Sequence, residues 1–103
     1  MPQDNPKRLP LIKLRREPQD EEGRAAIEFR YAGGDIGDRN HIGGTPQWLQ
    51  GEDTPRCPHC QGKMTFYGQL DSVGDDFVIA DCGLIYVFFC FMCNAAEAVV
   101  QSS

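Results

Sequence analysis

Three stretches in the C-terminal half of the chain have the hydrophobic patterns of β-strands, and these are residues 63–72, 83–90 and 95–101. Apolar and polar residues alternate in the first and third, and a period of two is typical of β-strands. The middle stretch is apolar on both sides, which predicts a central strand between the other two. In the first stretch, the side chains predicted to share one face are Met64, Phe66, Gly68 and Leu70. The pattern predicts a mainly β fold, with three antiparallel strands in this half.

Two alternating stretches lie in the N-terminal half. Residues 9–16 predict a strand that Pro10 restricts to the edge of a sheet, with Ile12 and Leu14 on the same face. Residues 24–31 predict another strand. The charged residues between the two form a turn, and we expect the pair to make a hairpin. In the second strand, the side chains expected to point inward are Ile27, Phe29 and Tyr31.

Composition identifies two long connections. Residues 32–40 are rich in glycine and aspartate, but no Gly-Lys-Ser/Thr sequence follows, which disfavours a phosphate-binding loop. Residues 71–81 contain aspartates without the spacing of a calcium-binding loop. This stretch is interpreted as a solvated acidic loop.

The stretch 41–50 combines two adjacent glycines, a Thr-Pro corner and the only tryptophan of the chain. Adjacent glycines allow a close approach of the backbone, and a large aromatic side chain can then fix the loop. We interpret Trp48 as a plug that covers the sheet or the cysteine-containing turn at 57–60. The alternative is a loop that lines a groove for a peptide. The residues that would contact such a partner are Gly43, Gly44, Pro46 and Trp48.

Two Cys-x-x-Cys pairs carry the clearest chemistry: Cys57 with Cys60, and Cys90 with Cys93. Each pair can direct two thiolates to one centre, and two such pairs are typical of a tetrahedral zinc site. Disulfides and a redox-active dithiol are the alternatives. Because four thiolates fill every coordination position, the predicted zinc ion is structural and not catalytic. In the first turn we expect Gly62 to take a positive φ.

The size of the chain fits a structural metal, because a domain of 103 residues buries only part of its surface. We predict a disordered lead at 1–8 and one zinc-stapled β domain at 9–103, with the zinc ribbon at 55–103.

No apolar run is long enough to span a membrane and no signal peptide is recognised, which predicts a cytoplasmic protein with reduced cysteines. The fifth cysteine, Cys82, is interpreted as a small apolar filler rather than a reactive thiol.

Charge separates the two halves of the chain. Residues 1–56 carry nine Lys or Arg against ten Asp or Glu, whereas residues 57–103 carry one, Lys63, against five. A zinc ribbon that binds nucleic acid needs cationic side chains to displace counterions from the phosphates. Because residues 57–103 carry only one, a nucleic-acid partner is disfavoured. The acidic surface suits a basic protein instead. Arginines that alternate with acidic residues are interpreted as a solvated strand face, and these are Arg8, Arg15, Arg16, Arg24 and Arg30.

Catalytic residues are hard to find in this sequence. His59 lies inside the first cysteine turn, and His41 precedes glycines without a neighbour to orient its ring. No catalytic residue is predicted. A small hydrolase and a ribbon associated with nucleic acid are kept as alternative functions.

Separated blocks of the sequence resemble the bacterial YwqG-like proteins of unknown function and, more distantly, the eukaryotic programmed cell death protein 2 family. The blocks, in the same order, are Gly43–Gln50, Pro55, Met64–Asp71 and Gly83–Phe88. The resemblance implies a β-rich interaction domain rather than an enzyme. The eukaryotic relatives act as chaperones for a small-subunit ribosomal protein, and some bacterial relatives are proposed immunity proteins against toxins. We therefore predict a noncatalytic zinc-binding domain that binds a basic client protein.

Overall fold

The computed structural model describes residues 7–103, and over this range the fold is mainly β. Five strands form one antiparallel sheet in the order β1-β2-β3-β4-β5. The strands are β1 (Ile12–Lys13), β2 (His41–Ile42), β3 (Thr65–Asp71), β4 (Leu84–Cys90) and β5 (Ala95–Gln101). A short helix, α1 (Glu21–Ala26), precedes β2, and a 3₁₀ turn (Asp75–Phe77) links β3 to β4. Within this range no helix has the length and apolar character needed to cross a membrane. Residues 1–6 of the predicted lead lie outside the described range, and the division into a lead and one domain at 9–103 stays a prediction.

The three predicted C-terminal strands are confirmed, with β4 between the other two. β4 pairs with β3 on one side and with β5 along its whole length on the other. On one face of β4, Leu84, Tyr86 and Phe88 are fully buried, while the residues between them are half-buried. This burial follows from a strand that is apolar on both sides and has a neighbour at each edge.

A β-bulge in β3 overturns the predicted faces of that strand. The register with β4 shifts between Phe66 and Gly68, and one extra residue moves every later side chain to the opposite face. Leu70, predicted to share the face of Phe66, is therefore 46% exposed, and Gln69 is buried instead. Glycine is needed at position 68 because a Cβ there would lie 2.7 Å from the carbonyl oxygen of His41 in β2.

The predicted strand at 24–31 and its hairpin with residues 9–16 are wrong. The chain forms α1 here, and the N-cap residue Asp20 accepts a hydrogen bond from the amide of Gly23 at 2.8 Å. The Asp20 cap and the acidic residues of the first turn favour a helix. This preference outweighs the short apolar–polar alternation of residues 24–31, which favours a strand. Within the described range the rest of this stretch pairs with no strand. Tyr31, predicted to point inward, is 90% exposed.

β1 pairs with β2 instead. It contains only two residues, and Ile12 and Leu14 remain 50% and 37% exposed. Hydrogen bonds extend the contact beyond the strand, because the amide of Leu14 donates to the carbonyl of Asn40 at 3.0 Å. At the other end, the amide of Gly44 donates to the carbonyl of Leu9 at 2.9 Å. The N-terminal segment thus runs along β2 and the residues on either side of it.

The paired glycines of this chain segment make the close approach that their sequence predicts. Gly43 and Gly44 have left-handed backbones, with φ of 66° and 67°. A Cβ on Gly43 would lie 2.0 Å from the carbonyl oxygen of Pro10. Glycine has no Cβ and adopts a positive φ at little cost, which makes it the residue for this position.

Trp48 packs on the core of the sheet. The centroid of its ring lies 4.7 Å from that of Tyr86 and 5.9 Å from that of Phe88. The hydroxyl of Tyr86 donates to the carbonyl of Gln47 at 2.7 Å, which fixes the loop beside the ring. Trp48 is half-buried. It therefore covers the sheet as a plug would, and part of its side chain stays accessible to solvent.

Arg16, predicted to belong to a solvated strand face, instead ties three segments together. Its Nη1 atom donates to the carbonyls of Ile27 at 3.0 Å and Val73 at 2.6 Å. Its Nη2 atom donates to Asp38 at 3.2 Å. The side chain is only 21% exposed, so the chain after α1 is fastened to the chain after β3.

Asp71 does not belong to a solvated loop, and that prediction is wrong. The bulge places Asp71 on the core face of β3, where its side chain is 0% exposed. It accepts hydrogen bonds from Arg39 Nε at 2.7 Å and Nη2 at 2.8 Å, and from the amide of Gly37 at 2.7 Å. A buried carboxylate of this kind persists because a cation and several donors replace its lost hydration. The ion pair fastens the connection before β2 to the sheet.

A glutamine at the other edge of the sheet fastens the connection after β2. Gln101 in β5 is 5% exposed, and its Oε1 accepts from two amides at 2.9 Å. Its Nε2 donates to a carbonyl at 2.7 Å. The three backbone groups belong to Leu49, Gln50 and Gly51. The buried side chain of Gln101, at the end of β5, therefore satisfies three backbone groups of the loop that carries Trp48.

We expect Tyr86→Phe to lower the free energy of unfolding by about 1 kcal/mol. The substitution removes only the hydroxyl and leaves the carbonyl of Gln47 without this donor. Chemical unfolding of the metal-loaded protein measures the change. Tyr31→Phe is the matched control, because Tyr31 is 90% exposed and should change stability by less than about 0.5 kcal/mol. Equal effects of the two substitutions would contradict this assignment.

Candidate metal centre

The two Cys-x-x-Cys pairs lie at one end of the neighbouring strands β3 and β4. Cys57 and Cys60 precede β3, and Cys90, the last residue of β4, leads into the turn that contains Cys93. Because β3 and β4 are antiparallel neighbours, the start of one lies beside the end of the other. The sheet thereby brings together two turns whose cysteines are 30 positions apart in sequence.

The two turns have the same backbone form. The amide of Gln61 donates to the carbonyl of Cys57 at 2.9 Å, and the amide of Asn94 donates to that of Cys90 at 2.8 Å. The residue after each second cysteine is left-handed, with φ of 66° at Gln61 and 58° at Asn94. The expectation of a positive φ at Gly62 is wrong, because the turn reverses one residue earlier. The carbonyl of Gly62 instead accepts from the amide of Cys57 at 2.8 Å.

The sulfur atoms of four cysteines form one cluster. The Sγ atoms of Cys57, Cys60, Cys90 and Cys93 all lie within 4.8 Å of one another, and those of Cys60 and Cys90 are 3.8 Å apart. Four sulfurs at about 2.3 Å from a tetrahedral zinc ion would be about 3.8 Å apart. A disulfide would need about 2.05 Å, and all five cysteines are free. The predicted convergence is confirmed, and the cluster can hold one metal ion.

Two thiols of the cluster, those of Cys57 and Cys93, have pKa values shifted in opposite directions. The backbone amide of Cys60 lowers the pKa of the Cys57 thiol to about 7, against burial and with help from the amide of His59. Burial raises the pKa of the Cys93 thiol to about 12, and the neighbouring cysteines add to the rise. Without a cation, four thiolates would therefore not coexist here at neutral pH. A divalent ion supplies the charge that lets all four lose their protons.

Apolar packing supports the cluster from the side of the sheet. Cys57 and Cys90 are 0% and 4% exposed and share the hydrophobic core with Met64 and Phe88. The other two cysteines are half-buried. Among residues 7–103, no further group of three His, Cys, Asp or Glu side chains is close enough to hold an ion. The core and the candidate metal centre thus form one continuous unit.

The histidines and the fifth cysteine lie outside the set of ligands. His41 is buried, and its Nδ1 atom lies 2.9 Å from the carbonyl oxygen of Gly43. His59 is exposed within the first turn. Cys82 is half-buried in a left-handed conformation with φ of 52°, and its carbonyl accepts from Arg39 at 3.0 Å.

Three of the four residues predicted to contact a partner border an open groove. Gly44, Pro46 and Trp48 line it, together with Lys63 and other residues, and its volume is about 530 Å³. Gly43 is buried behind them against the N-terminal segment. The role of these four residues in binding stays a prediction.

Gln61 and Asn94 are structural determinants of the site that the sequence pattern did not single out. Asparagine is among the residues that tolerate a left-handed backbone, and its position directly after a Cys-x-x-Cys pair is a readable signal for such a turn. Glutamine carries no such signal. The conformation of Gln61 follows from the turn and not from its own preference.

These features define a mainly β fold with a cluster of four cysteines that can hold a metal ion. A curated relative is "Uncharacterized protein YpfL" of Salmonella typhimurium, which is 31% identical over 64 residues. The match covers 62% of this chain and 15% of that protein, so the chain spans a small part of the relative's length. No known family profile matches the chain, and no solved structure matches it.

Proposed function

We propose that the chain is a noncatalytic domain, stapled by one structural zinc ion, that binds another protein. The observation that carries the proposal is the set of four cysteine sulfurs within 4.8 Å of one another. Thiolates are soft ligands, and zinc accepts four of them in a tetrahedron. Iron in the same four-sulfur geometry is the competing ion.

The zinc ion would act on folding rather than on a substrate. A tetrahedral ion with four thiolate ligands has no position left for water or a substrate. Two of the ligands are core residues, one in the turn before β3 and one at the end of β4. Binding would therefore hold the start of β3 beside the end of β4, and most of its free energy would become folding free energy.

The surface charge supports a basic protein as the partner. The connection between β3 and β4 exposes Asp76 and Asp81, and the whole chain has a net charge of −5. Attraction between this acidic surface and a basic partner would raise the rate of association and orient the partner as it binds. The resemblance to the YwqG-like proteins supports a chaperone-like or immunity-like role. A cytoplasmic location would keep the thiols reduced and available to the metal.

Affinity purification from the source organism, followed by mass spectrometry, tests the protein-binding role. We expect a basic protein to be retained by the chain and released by salt. The variant Asp76→Lys with Asp81→Lys should retain less of it, whereas Glu17→Lys, at an exposed carboxylate of the N-terminal segment, should retain as much. Recovery of no protein, together with turnover of a small molecule, would reject the proposal in favour of an enzyme.

A further inference from the structure

A groove with an aromatic floor lies beside the first cysteine turn. Its volume is about 530 Å³, and its apolar lining includes Trp48, Met64, Phe66 and Phe88. Phe88 and Met64 are buried core residues, while Trp48 and Phe66 are half-buried at the edge of that core. The floor is therefore continuous with the hydrophobic core and is held in place by it. An apolar side chain that entered the groove would lie against aromatic rings.

Basic residues surround this floor. Lys7, Arg8 and Lys63 line the groove with one carboxylate, that of Glu52. Glu52 lies 3.6 Å from Lys63 and offsets its charge. Lys7 and Arg8 are exposed, and the Nζ atom of Lys7 lies 5.2 Å from the centroid of the Phe91 ring. The groove thus has a positive rim on a chain whose net charge is −5.

We propose that this groove binds one acidic segment, in extended conformation, of the otherwise basic partner protein and takes up one apolar side chain of that segment. The inference rests on the proposed protein-binding function and names the chemistry of one docking segment. The apolar side chain would occupy the floor beside Trp48. Carboxylates on either side of it would face Lys7, Arg8 and Lys63, which is the charge complementarity that the rim offers.

A peptide suits the groove better than a nucleic acid does. A single strand of RNA or DNA needs a track of cations along its backbone, and this groove has three cations with one carboxylate among them. Three cations around an apolar floor suit a short acidic segment with one apolar side chain instead.

The test uses the zinc-loaded full chain and short synthetic peptides with a fluorescent label. The first peptide has one leucine flanked by glutamates, the second has lysines in place of the glutamates, and the third has serine in place of the leucine. We expect only the first to bind, and added salt to weaken its binding. Tighter binding of the lysine peptide, of the serine peptide or of a uridine oligonucleotide would overturn the proposal, and so would no binding of the glutamate peptide.

Charge reversal on the protein locates the site. Lys7→Glu with Arg8→Glu should weaken the glutamate peptide by about tenfold and should let the lysine peptide bind. Lys13→Glu with Arg15→Glu is the matched control, because these exposed residues lie outside the groove, and it should leave affinity unchanged. Equal effects of the two double variants would place the peptide elsewhere and overturn the proposal. Retention of a native partner without peptide binding would leave the proposed function standing and reject only this inference.

Discussion

Replacing Cys57 with serine is expected to abolish metal binding and to unfold the sheet. The substitution removes one of four thiolates, and it does so at a residue that is 0% exposed within the core. Structural zinc sites of small domains bind with about 10–16 kcal/mol of free energy, which is as large as the whole stability of a typical domain, about 5–15 kcal/mol. Circular dichroism and metal analysis of the purified variant measure the two losses.

Cys82→Ser is the matched control for this prediction. It makes the same chemical change at a half-buried cysteine outside the cluster. The Arg39 contact at position 82 is made by the backbone carbonyl and survives the substitution. We expect this variant to keep its metal and its fold. If Cys57→Ser folded as Cys82→Ser does, the cluster would not be the staple of the domain.

Asp71→Asn is expected to destabilise the metal-loaded protein by about 3–5 kcal/mol, because it leaves the buried guanidinium of Arg39 without its counter-charge. The two side chains are 0% and 8% exposed and make two direct hydrogen bonds. A loss of this size lowers the Tm of a domain of about 100 residues by more than about 10 °C. Differential scanning calorimetry measures it. Asp76→Asn, at an exposed carboxylate of the same connection, should change the Tm by only a few degrees, and equal shifts would contradict the buried pair.

The same residue predicts how stability depends on pH. Burial raises the pKa of Asp71, but Arg39 and the amides of Arg39, Gly37 and Ser72 outweigh it and hold the pKa below its ordinary value. A carboxyl group with a lowered pKa stabilises the fold above its unfolded pKa of about 3.9 and loses that contribution as the pH falls through its folded pKa. The stability difference between the natural chain and Asp71→Asn should therefore persist at neutral pH and shrink below about pH 4.

The C-terminal half of the fold could be predicted from the sequence because local signals agree there. β4 is apolar on both sides, as expected of a central strand, and apolar and polar residues alternate in β5. The two cysteine pairs have the spacing of a metal site. The N-terminal half could not be predicted, because the alternation at 24–31 is short and the Asp20 cap favours a helix. The edge strand predicted at 9–16 is present only as the two residues of β1, and β2, which has two residues, is too short to carry a periodic signal.

The burial of Gln69 and Asp71 could not be predicted from the sequence either, because it depends on a β-bulge. A bulge after Phe66 changes which side of β3 faces the core, and no alternation pattern shows where one extra residue will enter. Once the bulge is in place, Gln69 and Asp71 turn inward and their partners follow. The partner of Asp71, Arg39, comes from a glycine-rich connection that composition marks only as a loop.

X-ray absorption at the zinc edge of the purified, metal-loaded chain tests the central claim most directly. The account predicts one zinc ion per chain with four sulfur neighbours at about 2.3 Å and no nitrogen or oxygen neighbour. A spectrum with fewer than four sulfurs, or a folded chain that binds no metal, would contradict it.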